Sequence, residues 1–156
     1  MKLLLICLIA TLPLIASAGE DSVPQHFKAT VGSVAGRNYI VELKDGSLVY
    51  TLSDAGNAHP RSMTITPTTT EWKSFTQTLD ALNIWIWQPN YTNGVDNGTH
   101  WTLDIAYAGH ALKTQGVNCY PDMDGKPVNT PKATPTFESF QKAVESLVGG
   151  KVFRAK

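Results

Sequence analysis

The residues with the greatest chemical potential lie between Asn83 and Pro121. That stretch holds Trp85, Trp87 and Trp101, three of the chain's four tryptophans, with Tyr91, Tyr107, Tyr120 and Cys119. Two polar motifs interrupt it, Asp96-Asn97-Gly98 and Gly116-Val117-Asn118-Cys119-Tyr120-Pro121. Aromatic faces beside a carboxylate and an amide suit a sugar ring or the side chains of a protein partner. Trp87, Tyr91, Asp96, Trp101, Asn118 and Tyr120 are therefore the candidate ligand-binding residues. The same residues admit a structural reading. In it the rings fill the core, and Asp96 and Asn118 accept backbone N–H bonds in turns.

Other constellations point less clearly to chemistry. Cys119 as a nucleophile would need a base, and His26, His59, His100 and His110 are available. No nucleophile signature surrounds it, and a cysteine of this kind also serves as a small buried hydrophobe. Asp122-Met123-Asp124-Gly125 starts like a calcium loop, but Lys126, Pro127 and Val128 follow where ligands belong. The histidines lack close metal-ligand spacing. Neither a metal nor a cofactor is expected. Asn90-Tyr91-Thr92 and Asn97-Gly98-Thr99 have the form of glycosylation acceptors, which matters only in a eukaryotic secretory pathway.

The N-terminus indicates a compartment. Met1-Lys2 is followed by an apolar run over Leu3–Ile15, then by small residues at Ala16-Ser17-Ala18 and a polar turn at Gly19-Glu20-Asp21. This is the pattern of a secretory signal peptide. The run is shorter than the about 20 apolar residues of a membrane span and contains Pro13. Residues 1–18 are thus read as a signal peptide and residues 19–156 as one domain, periplasmic or secreted, with no membrane insertion after cleavage. Loss of Cys7 with the signal leaves Cys119 alone, so no intrachain disulfide is expected. The chain carries 13 basic and 13 acidic residues. Such a balance gives no electrostatic case for nucleic acid.

Elements that must position the candidate residues can be read from periodicity. Phe27, Ala29 and Val31 alternate with polar neighbours, as do Tyr39, Val41 and Leu43, then Leu48, Tyr50 and Leu52. Gly36-Arg37-Asn38 reads as the first turn. Asp45-Gly46 between alternating runs signals a tight hairpin. Arg61–Thr66 offers a fourth strand. Thr68 and Glu71 form a capping-box pattern ahead of Trp72, Phe75, Leu79 and Leu82 at helical spacing. Ile84–Trp87 is β-branched and aromatic and reads as a buried strand. Trp101–Tyr107 and His110–Thr114 form a second hairpin, and Gly116–Thr134 reads as a long loop. Thr134 and Pro135 open a closing helix with Phe137, Phe140, Val144 and Leu147 on one face and Gly149 at its end. The fold class is α+β: a mostly antiparallel sheet of about six to seven strands with two amphipathic helices on one face.

Together these motifs resemble a family of small uncharacterised bacterial proteins. In that family Trp-x-Trp is followed by Asp-Gly-x-x-Trp, then by Gly-x-Asn-x-Tyr-Pro and a closing helix. Here the pattern runs through Trp85, Trp87, Asp96, Gly98, Trp101, Gly116, Asn118, Tyr120 and Pro121, with Asn97 inserted between Asp96 and Gly98. The resemblance covers about 67–153 and implies a domain without implying an activity. The expectation is an exported, non-enzymatic domain that binds a protein or glycan partner, in the manner of an inhibitor or immunity factor. The alternatives are a small hydrolase using Cys119 or a His–Asp pair, and a structural envelope protein.

Overall fold

The structure, a computed structural model, describes residues 23–155 apart from 57, 58, 93, 95 and 96. The expected signal peptide and Asp96 lie outside the described residues. Nine strands and two α-helices are described: β1 (His26–Ser33), β2 (Arg37–Lys44), β3 (Ser47–Asp54), β4 (Arg61–Ile65), α1 (Thr69–Ala81), β5 (Asn90–Thr92), β6 (Thr99–Tyr107), β7 (His110–Val117), β8 (Cys119–Pro121), β9 (Pro127–Asn129) and α2 (Pro135–Leu147). The main sheet has seven strands in the order β4-β3-β2-β1-β6-β7-β5, and β8 pairs with β9 beside it. All neighbours in the main sheet are antiparallel except β5 and β7. The fold is therefore α+β, as the alternation and the two helical patterns require.

Local chemistry accounts for most boundaries. Asp45 and Gly46 both adopt positive φ, +49° and +77°, as the tight turn between β2 and β3 demands. The first turn falls one step earlier than its composition suggests. Residues 34–36 make it, and Arg37 already begins β2. Thr68 Oγ accepts the Glu71 N–H, while Glu71 accepts the Thr68 N–H at 2.7 Å. These contacts hold the Glu71 carboxyl below its usual pKa, the Thr68 backbone N–H first and its hydroxyl second. At the far end of α2, Gly150 N–H donates to Glu145 O at 2.7 Å and Gly149 N–H to Ser146 O at 3.1 Å. That is the paired C-terminal closure a left-handed glycine permits.

Two readings are corrected. Ile84–Ile86 is a single 3₁₀ turn and not a strand. Asn83 takes the left-handed conformation at φ +49° straight after α1, and Ile86 N–H and Trp87 N–H fold back to Asn83 O and Ile84 O. A four-residue apolar run has no periodicity to separate these outcomes. Gly116–Thr134 is not a loop throughout, because it contains the end of β7 and the β8–β9 hairpin.

One face of the sheet carries the core. Phe27, Ala29, Val31, Val41, Leu48, Leu103 and Ile105 are at most 1% exposed and point to the helices. Phe75 of α1 meets Phe27 edge-on at 5.2 Å, and Phe137 of α2 meets Trp101 at 4.7 Å. Phe153 is fully buried beneath α2, 6.5 Å from Phe140. The opposite face is polar, with Thr30 and Thr102 joined through their hydroxyls at 2.7 Å and Lys28 bonded to Glu42. No helix among the described residues is long and apolar enough to cross a membrane.

Candidate functional site

The segments 97–100 and 116–121 converge, and Asn118 joins them. It sits at φ +46° just beyond β7. Its Oδ1 accepts the Thr99 N–H at 2.9 Å, its Nδ2 donates to Asn97 O at 2.9 Å, and its own N–H donates to Thr99 O at 3.0 Å. Gly98 lies against this amide, and any Cβ there would collide with it. Gly116 is required for a similar reason: the indole of Trp101 crosses over it. That indole donates from Nε1 to Cys119 O at 3.0 Å. Tyr120 stacks on Trp101 at 6.4 Å and 14°. Pro121 O then accepts the hydroxyl of Thr134, which in turn accepts the Phe137 N–H and caps α2. The Gly-x-Asn-x-Tyr-Pro residues thus fasten β6, β8 and α2 together.

The candidate aromatic residues accordingly face inward. Trp87, Tyr91, Trp101 and Tyr120 are 4%, 1%, 1% and 2% exposed. Tyr91, a candidate ligand-binding residue, is enclosed instead. It lies in β5, its hydroxyl accepts the Gln88 N–H at 2.8 Å, and it donates to Gly125 O at 2.7 Å. Burial pushes its phenol up from the ordinary value. Trp87 packs among Trp101, Phe137 and Phe140. No acceptor meets its Nε1 among the described residues. A ring enclosed in this way offers no face to a ligand.

Cys119 is fully buried and free. Burial raises its thiol pKa, which works against the thiolate a nucleophile needs. His26 lies 3.5 Å from Asp104, both on the open sheet face with side chains 46% and 41% exposed. His110 stacks on Trp85 at 5.0 Å. Asp122 closes a turn, accepting the Asp124 and Lys126 N–H groups on Oδ1. Among the described residues no group of three or more His, Cys, Asp and Glu side chains could hold a metal.

What the converging segments leave on the surface is a groove rimmed by polar side chains. It has a volume of about 380 Å³ and is lined by Asn90, Thr92, His100, Thr102 and Gln115, with Tyr91 and Trp101 closing its floor. Gln115 Nε2 donates to Asn90 Oδ1 at 2.8 Å across the parallel β5–β7 pair. A second depression of about 570 Å³ shares Asn90, Thr102 and Gln115 and adds Lys28, Asp104 and Lys113. Sequence reasoning missed these lining residues because it followed the aromatic side chains. The available signal was alternation: with Trp101 and Leu103 inward, His100 and Thr102 must face outward. No family model matches this chain, and no curated protein matches it either.

Proposed function

We propose that the chain is an exported, non-enzymatic binding domain that recognises a glycan or protein partner through the groove at the β5–β7–β6 end of the sheet. The observation that carries this reading is the division of labour at that end. The motif residues are taken up in holding the scaffold, while Asn90, Thr92, Thr102 and Gln115 stand exposed on rigid strands around a groove. Amide and hydroxyl groups fixed in a row match the donor and acceptor pattern of sugar hydroxyls, so the composition favours a glycan over an apolar protein surface. Export rests on the Met1–Ala18 pattern. The enclosed thiol of Cys119, with its raised pKa, weighs against the hydrolase alternative.

The test is a glycan array probed with the labelled domain, followed by titration of the best ligand against Asn90→Ala/Gln115→Ala. Both residues are exposed, so the melt should change little. Affinity should fall by about tenfold or more, the equivalent of at least one good hydrogen bond. Unchanged affinity in the double variant would place the site elsewhere. Absence of glycan binding would leave a protein partner or the structural envelope reading.

A further inference from the structure

On the helix side, at the opposite end of the sheet, the layer of helices stops short. The turn after α2 and the tail at 150–152 run beside β3, where Tyr50 donates its hydroxyl to Val152 O at 2.8 Å. Beyond that wall lies a groove of about 440 Å³ whose apolar surface comes from Tyr39, Tyr50, Leu52, Met63 and Val152. Met63 and Val152 are 44% and 42% exposed. Arg37, Arg61 and Lys151 also line it. Asp54 engages Arg37 Nε at 2.7 Å and Arg61 Nη2 at 3.3 Å. Two guanidiniums thus share one carboxylate, and Lys151 adds a third positive group to the lining. Each guanidinium has five N–H donors, of which Asp54 meets one nitrogen on each.

The groove is bordered by a strand edge. β4 ends the sheet, and among the described residues no strand pairs with its outer side. Its first four residues are exposed, and Pro60 and Pro67 bracket it. An unpaired edge is a template for another strand. Met63 pairs with Tyr50 and Arg61 with Leu52, so both β4 side chains share the groove's face.

We propose that β4 and this groove form a docking site for an extended acidic peptide, which adds antiparallel to β4 as an eighth strand of the main sheet. Backbone bonding to β4 supplies the attachment, and alternate side chains supply the selectivity. Residues on the groove side of an added strand are two apart. The position opposite Met63 takes an apolar side chain onto Tyr50 and Met63. The position opposite Arg61 takes a carboxylate. In antiparallel addition the recognised order is therefore apolar-x-acidic. This site lies on the face opposite the polar groove and does not depend on a glycan being bound there.

The experiment uses a fluorescent peptide with the core isoleucine-threonine-phenylalanine-threonine-glutamate, titrated by anisotropy against the exported domain. Saturable binding is expected. Arg61→Glu should weaken it tenfold or more, and the same variant should regain affinity for the peptide carrying lysine in place of glutamate. N-methylation of the peptide backbone on its β4-facing side should abolish binding. Unaltered thermal melts of Arg61→Glu exclude a folding defect; should that variant melt early, Lys151→Glu with the same charge-swapped peptide takes its place. No binding by the wild type up to about 1 mM, the weak limit of specific recognition, overturns the proposal. So does a failed charge swap. Equal binding of the N-methylated peptide, or of a short fatty carboxylate, would mean that an amphipathic anion occupies the groove without adding a strand, which also overturns it.

Discussion

The two ends of the sheet are built differently on the same face. At the β6–β7 end, Trp101 is surrounded by Trp87, Tyr91, Tyr120 and Phe137 at ring separations of 4.7–6.4 Å, and α2 lies over them. At the β2–β4 end, Tyr39 and Tyr50 pair at 6.5 Å, but Met63 next to them is 44% exposed. The polar contacts follow the same division. Trp101 and Tyr91 make buried hydrogen bonds to backbone, whereas the Arg37–Asp54–Arg61 contacts are exposed. Exposed ion pairs contribute about 0–1 kcal/mol; a buried bond, once broken, leaves an orphan group that costs more. One end of the face is thus committed to stability and the other is left available for contact.

The largest effect that tests this contrast comes from cavity formation. Phe137→Ala should destabilise the domain by about 3–5 kcal/mol, since the ring is 1% exposed and touches four other aromatic rings. Met63→Ala, at the open end, should cost less than about 1 kcal/mol. Urea denaturation of both variants measures the difference. If the two costs were similar, the supposed open end would be part of the core.

A smaller effect separates the two ends through tyrosine hydroxyls. Tyr91→Phe removes one hydroxyl that serves both Gln88 N–H and Gly125 O. Two backbone groups lose a partner, and the cost should be about 2–3 kcal/mol. Tyr50→Phe removes a single, partly buried bond to Val152 O and should cost about 1 kcal/mol. Equal losses in the denaturation midpoints would show that the 88–91 and 125 segments are not held by that hydroxyl.

What the sequence made legible was what depends on near neighbours. Alternation placed Phe27, Val41 and Leu103 on the inward face, Asp45-Gly46 marked its turn, and Thr68 with Glu71 marked the start of α1. Ile84–Trp87 was misread because a left-handed Asn83 turns the chain into a 3₁₀ turn, an outcome that a β-branched run does not signal. Tyr91 was misread because its burial depends on a parallel pairing with β7 and on Gly125, both distant in sequence. The ring positions of the candidate site were legible as residues but not as roles. Whether a tryptophan at a strand end faces water is decided by what covers it, here α2. Asn118 was legible as a turn-capping residue, and its bonds to Thr99 and Asn97 are of that kind.

A last contrast divides the dense end itself. Trp87 and Trp101 are neighbours, 6.3 Å apart and edge-to-face, and both are buried. Trp101 Nε1 has Cys119 O at 3.0 Å, while Trp87 Nε1 meets no acceptor among the described residues. Replacing either by phenylalanine removes similar ring volume, so the packing losses should nearly cancel when the two variants are compared. The polar balance does not cancel. Trp101→Phe strands the Cys119 carbonyl, at a cost of about 1–3 kcal/mol beyond packing. Trp87→Phe discards a buried donor that has no acceptor among the described residues and so recovers part of its desolvation cost. Trp87→Phe should therefore stay within about 1 kcal/mol of the parent and lie about 2 kcal/mol above Trp101→Phe in stability. Paired urea melts measure that gap. A Trp87→Phe loss as large as that of Trp101→Phe would mean that the Trp87 indole is bonded in solution, and the dense end would then be uniformly satisfied.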